Sequence, residues 1–266
     1  MTKEVQKAVE EAQLVLVGLG NEWETPVDGL KEDPLYGPLV EQAEREEDER
    51  LLQYIHFHYF ERHPDAKRLE GYRKMERLLQ GKNYFIVSLC RDDLVRKSGL
   101  DADRIVTPCG GFQALQCEGG CEGDGRGGLL RDEAMLESIL KAVDGAIEQG
   151  ELNREAFPLC PSCKKPLWFN QISSPDYREE GYLPQWEKYT KWLQGTLNRN
   201  LCVLELGAGM QFPQIIRFPF EKVAYFNQKS RFFRIHSKLY QLTEELREKG
   251  VSIAENSVDF LLKESE

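Results

Sequence analysis

The stretch Gln13-Leu-Val-Leu-Val-Gly-Leu-Gly20 is a short apolar run stopped by two glycines. A run apolar at nearly every position, and too short for a helix, suits a parallel strand covered on both faces, and the glycines permit a tight turn at its end. Similar runs stand at Tyr84-Phe-Ile-Val-Ser-Leu89 and Leu201-Cys-Val-Leu-Glu-Leu206, the second ending in Gly207-Ala-Gly209. Shorter ones follow at Val223–Phe226, Phe232–Ile235 and Val251–Ala254. Helical periodicity occupies 36–63, 66–80, 131–148, 183–195 and 237–250, the last closed by Gly250 as a cap. Strands alternating with helices predict an α/β fold with a Rossmann-like, doubly wound parallel sheet.

The strand signal stops near Thr107 and resumes near Leu201. Between them lie two cysteine pairs, Cys117/Cys121 and Cys160/Cys163, separated by 38 residues, and the glycine-rich loop 117–128. A small inserted zinc-ribbon domain is expected over 109–195. It interrupts a Rossmann-like domain of 1–108 and 196–266 that also carries the helical segment 36–80. Two such pairs can converge into a tetrahedral thiolate site with bonds of about 2.3 Å, and four cysteines leave no open coordination position. Structural zinc on Cys117, Cys121, Cys160 and Cys163 is therefore expected, with Lys164 and Lys165 offsetting its negative charge. Seven cysteines, an odd number, argue against a secreted disulfide framework.

The 266 residues are 41% apolar and 30% charged, enough for one large core with a satellite. Thirty-five Lys and Arg against 45 Asp and Glu leave a formal charge of −10, the wrong sign for coating phosphate backbones or anionic membranes. No apolar run approaches the roughly 20 residues of a spanning helix, and no signal-peptide core is visible. A soluble, cytoplasmic protein is the expectation, with neither nucleic acid nor membrane as partner.

Gly18-Leu19-Gly20-Asn21 could bring backbone amides near a pyrophosphate, although Glu22 and Glu24 add negative charge there. Gly207-Ala208-Gly209 would lie beside it if the two strands are neighbours at a topological switch point. Cys90 and Cys109 stand at strand ends, where α/β sites form. Cys202, inside a strand, reads as core. His56 and His58, two apart on a helix, point about 200° from one another and cannot share a metal. Packing is the favoured reading for the aromatic run Tyr54–Phe60 around them.

This order of parts resembles the sirtuins, and most nearly the atypical bacterial branch often encoded beside macrodomain proteins. The likeness is carried by Asn83–Cys121 and by Glu205-Leu-Gly-Ala-Gly-Met-Gln-Phe-Pro-Gln-Ile-Ile-Arg-Phe-Pro-Phe220, together with the cysteine pairs. It implies a Rossmann-like domain and a zinc ribbon with NAD between them. The activity implied is NAD cleavage with release of nicotinamide, for lysine deacylation or for ADP-ribosylation of a protein such as a lipoyl-bearing carrier.

Several positions depart from the sirtuin pattern. Gly18-Leu-Gly-Asn-Glu22 replaces a Gly-Ala-Gly turn followed by a hydrophobic residue and Ser. Ser88-Leu-Cys90-Arg-Asp92 keeps the aspartate of the nicotinamide motif and loses its asparagine. Cys109 stands where the family's catalytic His is expected, and His236 where an asparagine holds the adenine ribose. The resemblance thus implies Asp92, Cys90 and Cys109 as the catalytic set. It implies Gly18, Leu19, Gly20, Asn21, Cys90, Asp92, Gly207, Ala208, Gly209 and His236 around NAD or ADP-ribose. A thiol is a poorer general base than an imidazole near neutral pH, so ordinary deacylation is expected to be slow. The alternative is an inactive sirtuin-like module that senses NAD or ADP-ribose or binds a protein partner.

Overall fold

A computed structural model of the chain describes residues 1–122 and 128–263, so the middle of the glycine-rich loop, 123–127, lies outside the described residues. In chain order the elements are α1 (Lys3–Glu11), β1 (Leu14–Leu19), α2 (Gly37–Arg45), α3 (Glu49–Arg62), α4 (Ala66–Leu79), β2 (Asn83–Ser88), β3 (Ile105–Val106) and β4 (Gly110–Cys117). After β4 come β5 (Leu129–Leu130), α5 (Glu133–Gln149), β6 (Leu167–Gln171), α6 (Leu183–Gln194) and β7 (Leu201–Leu206). The chain ends with α7 (Arg217–Phe226), β8 (Ser230–Ile235), β9 (Gly250–Ile253) and α8 (Ser257–Leu262). No helix among the described residues is long and apolar enough to cross a membrane.

Six parallel strands run in the order β3-β2-β1-β7-β8-β9. β1 is central, in register with β2 from Leu14↔Asn83 to Leu19↔Ser88 and with β7 from Leu14↔Leu201 to Leu19↔Leu206. Its side chains alternate between two covered faces. Val15, Val17 and Leu19 share a core with Tyr72 and Met75 of α4 and Phe260 of α8. Leu14 and Leu16 meet Tyr189 of α6 and Phe220 of α7 on the opposite face. The chain builds β2 and β3 on one side of β1 and returns to place β7 on the other. The carboxyl ends of β1 and β7 are therefore the topological switch point, where crevices form in open α/β sheets.

A second, antiparallel sheet of order β5-β4-β6 packs with α2, α3 and α5. Here the lobes differ from the expected boundaries. The sequence pattern places the helices at 37–62 with the large sheet, but Tyr54 and Phe57 of α3 lie ring to ring with Phe157, Phe112 and Phe169, with centroids 4.8 to 5.8 Å apart. Conversely α6, assigned to the small domain, covers the large sheet, with Tyr189 5.4 Å from Phe85. Aromatic surface decides both placements, because each ring buries more area than the polar residues around it.

Three further expectations change. Helix 36–63 is broken into α2 and α3 at Glu47, which takes a left-handed φ of 50°. Residues 223–226 are the end of α7 rather than a strand, and the buried pair Phe220 and Ala224 shows the helical spacing. Residues 237–249 are mostly irregular, with one short turn at Glu244–Leu246, and Gly250 opens β9 instead of capping a helix. Two guanidinium groups account for this loop: Arg217 donates to the carbonyl of Leu239 at 2.9 Å and Arg234 to that of Gln241 at 2.7 Å, taking acceptors a helix would use internally.

Candidate functional site

A cleft of about 560 Å³ opens between the loop 21–28, which follows β1, and one face of α3. Glu49, Leu52, Gln53, His56 and Phe60 recur every three or four residues and so line that face together. His58 points the other way, bridging the Tyr36 hydroxyl at 2.9 Å and Asp144 at 2.8 Å. Of the two histidines, only His56 faces the cleft, and burial together with the nearby Arg91 cation pushes its imidazole down to about 4. It is a neutral imidazole at physiological pH.

The tripeptide Arg91-Asp92-Asp93, at the end of β2, ties the walls together. Arg91 donates its amide and Nε to Glu24 Oε1, at 3.1 and 2.8 Å. Asp92 accepts the amide and hydroxyl of Thr25 on one oxygen and the Leu94 amide on the other. Asp93 accepts the Phe112 amide of β4 at 2.6 Å and faces Arg96 at 3.4 Å. Burial raises both aspartates, Asp93 to about 6. Asp92 thus fixes the cleft loop from below, and it is 3% exposed.

The two glycine turns meet at the switch point. A Cβ on Gly20 would lie 2.1 Å from the Gly207 carbonyl oxygen, so only glycine allows this approach. The amides of Gly20, Glu22 and Gly207 are spent on carbonyls of Leu206, Gly207 and Ile235. Those of Asn21, Ala208 and Gly209 meet no acceptor among the described residues. Beneath the second turn, Arg217 donates to the Ala208 carbonyl at 2.7 Å, and Arg234 grips Glu205 with two bonds of 2.6 and 2.8 Å. This buried ion network positions the turn. Gly18 and Leu19, by contrast, belong to packing. A Cβ on Gly18 would strike Ile216 and Phe220 of α7, and the Leu19 side chain lies in the core under α4 and α8.

Glu22 turns away from the cleft, whereas Glu24 lines it. The Glu22 carboxylate accepts the Ser237 amide at 2.9 Å and both the amide and hydroxyl of Ser257 at 2.8 Å. Burial alone would raise its pKa, but these hydrogen bonds outweigh it and hold the group below the usual carboxylate range. His236 lies alongside, its Nδ1 3.3 Å from Glu22 and accepting the amides of Lys238 and Leu239.

The three single cysteines are not in the cleft lining. Cys90 is 1% exposed and donates to the Gly20 carbonyl at 3.4 Å, under the first turn. Cys109 is fully buried, and burial pushes its thiol up to about 12. Cys202 is in the core as expected. Neither Cys90 nor Cys109 has the partial exposure and thiolate character of a reactive cysteine. The four paired cysteines do converge, with their sulfurs all within 4.8 Å of one another. Cys117 and Cys163 sulfurs are 3.3 Å apart, and the amide of Gly119 donates to Cys117. Tetrahedral zinc with bonds of about 2.3 Å places sulfurs roughly 3.8 Å apart, so the donor set fits that metal.

Sequence reading missed Thr25, Arg68 and Arg91, and placed His56 in packing. Arg68 lines the cleft and donates to the Glu22 carbonyl at 3.2 Å. The polar stripe Glu49, Gln53, His56 along one side of α3 is a sequence signal that marks the cleft face.

No protein-family model matches the chain. Among curated proteins, a protein ADP-ribosyltransferase of Staphylococcus aureus is 20% identical over 189 residues, covering 70% of this chain and 58% of that protein. A probable bifunctional ADP-ribose hydrolase/ADP-ribosyltransferase of Fusarium oxysporum f. sp. cubense is 27% identical over 151 residues, 53% of this chain and 23% of that protein. The chain thus spans only part of the length of both relatives. Solved sirtuin structures match 97% of the chain. A Sir2 enzyme bound to a propionylated peptide gives a TM-score of 0.54 at 12% identity over 94% of its own length. A Sir2 complex with peptide and NAD+ gives 0.54 at 11% identity over 95%. The fold is that of the sirtuins, and the relatives' names are consistent with an atypical sirtuin-like branch.

Proposed function

We propose that this chain is an atypical sirtuin-like protein that binds NAD in the cleft beside the switch point and cleaves it with release of nicotinamide, for ADP-ribosyl transfer. The observation that carries this reading is the cleft itself: two abutting glycine turns with unpartnered amides at Asn21, Ala208 and Gly209, beside a chamber that also holds Arg68 and Arg91. Unpartnered amides on glycine turns, with arginines nearby, suit a phosphorylated ligand. When bound, NAD would supply a nicotinamide–ribose bond whose cleavage frees neutral nicotinamide.

The chain's own residues divide the work. Asn21 and the second glycine turn would hold phosphate oxygens through their amides, with the arginines adding charge. Asp92, by fixing Thr25, sets the shape of the loop that forms one wall of the cleft. His56 lines the cleft as a neutral imidazole, a hydrogen-bonding group whose lowered pKa makes it a weak base near neutral pH, and Cys109 is a buried thiol that stays protonated. Cys117, Cys121, Cys160 and Cys163 would hold one structural zinc that shapes the small lobe. A protein-borne acceptor, such as the lipoyl carrier that the family likeness suggests, would be served from solvent. Seven unpaired cysteines suit the reducing cytoplasm.

A second reading, a module that senses NAD or ADP-ribose without cleaving it, is favoured by one observation: both oxygens of Asp92 are already committed to Thr25 and Leu94. Following nicotinamide release from NAD, with and without an acylated peptide, separates the readings. Release without deacylation supports ADP-ribosyl chemistry. Binding without release supports the sensing module.

A further inference from the structure

Glu22 follows the first glycine turn directly, yet its carboxylate leaves the cleft and enters the crevice at the ends of β1, β7 and β8. There it collects three donors from two distant segments, Ser237 after β8 and Ser257 before the body of α8, at 2.8 to 2.9 Å. Gly207, with a φ of 67°, makes room for it, since a Cβ there would lie 2.5 Å from Glu22 Cβ. His236, 6% exposed, lies against the same carboxylate, and its Nε2 is buried without a partner among the described residues. Backbone amides and a hydroxyl converging on an oxyanion are the donors a phosphate group also uses. The crevice thus already contains an anion, supplied by the chain.

We propose that Glu22 is a specificity determinant of the cleft: an internal carboxylate that takes the oxyanion position at the adenylate end, so that a nucleoside diphosphate group gains those donors only by displacing it. This rests on the NAD reading of the cleft. On that reading the nicotinamide end would lie on the Glu24 and His56 side, whose lining does not include Glu22. Removing the charge should therefore weaken the ligand-free fold and strengthen binding of the ADP moiety, two effects of opposite sign from one residue. A merely structural glutamate gives only the first.

The test is calorimetric titration of wild type, Glu22→Gln and Glu22→Ser with ADP-ribose and, separately, with nicotinamide mononucleotide, alongside ligand-free melting. Expected are a melting temperature lowered by several degrees in both variants, ADP-ribose binding at least tenfold tighter than in wild type, and nicotinamide mononucleotide binding changed by less than about threefold. Should these two variants fold poorly, Glu22→Asp, which keeps the charge but is too short to reach all three donors, should still bind ADP-ribose more tightly than wild type, by a smaller factor. Equal or weaker ADP-ribose binding in the variants, with wild type binding well, overturns the role of Glu22 and leaves the NAD reading intact. Absence of binding by either ligand to every variant and to wild type overturns both.

Discussion

Thr25 donates both its backbone amide and its hydroxyl to a single oxygen of Asp92, at 2.8 and 2.6 Å. The two residues are 67 positions apart, and the pair fastens the loop that forms one wall of the cleft to the end of β2. Replacing the hydroxyl with a methyl group removes one bond to a buried carboxyl, a loss of about 1–3 kcal/mol. Thr25→Val should therefore lower the melting temperature by several degrees and loosen residues 21–28, read as faster amide hydrogen exchange there. An unchanged melting temperature would mean that the bond carries no load.

Asp93 gives the fold a specific pH dependence. Burial pushes its carboxyl up to about 6, against about 3.9 in an unfolded chain. The folded chain holds this proton more tightly, so the associated stabilisation is complete below pH about 4 and is lost as pH rises through about 6, a change of at most about 3 kcal/mol. Asp93→Asn cannot ionise. Relative to wild type it should gain stability between pH 4 and pH 7.5, measured by urea unfolding at both. The same difference at both values would show that Asp93 ionises without cost.

Four sulfurs within 4.8 Å fit one zinc ion per chain. Preparations in zinc-containing medium should carry close to one equivalent, and Cys117→Ser or Cys160→Ser should lose it. Because metal binding and folding are coupled in small lobes, chelation should expose β4 to β6 to hydrogen exchange while β1 and β7 stay protected. Full folding without metal in these variants would remove zinc from the account.

The large sheet is legible in sequence because β1 and β7 are apolar at nearly every position and end in glycines, and both faces of β1 are indeed covered. Val223–Phe226 misleads because four residues cannot separate a period of 2 from one of 3.6. The cleft is half legible. The glycine turns announce themselves, and the four clustered cysteines lie where their spacing puts them. Arg91 with Glu24 and Glu22 with Ser257 do not, since each pair is 67 or 235 positions apart and forms only once the sheet has brought its strand ends together. Cys90 and Cys109 read as reactive because strand ends host chemistry. Cys90 lies beneath the first turn and Cys109 is bonded through its carbonyl to the Ile172 amide, with 1% and 0% exposure.

The central claim is NAD chemistry in this cleft, and chromatographic measurement of nicotinamide after incubating the metal-loaded chain with millimolar NAD tests it most directly. The account predicts nicotinamide above the protein-free control, at a rate unchanged within about twofold by Cys109→Ala, which lies outside the cleft lining, and reduced by His56→Ala, which removes a side chain that lines it. No release by wild type would contradict it, and release that vanishes with Cys109 would return the chemistry to the buried thiol.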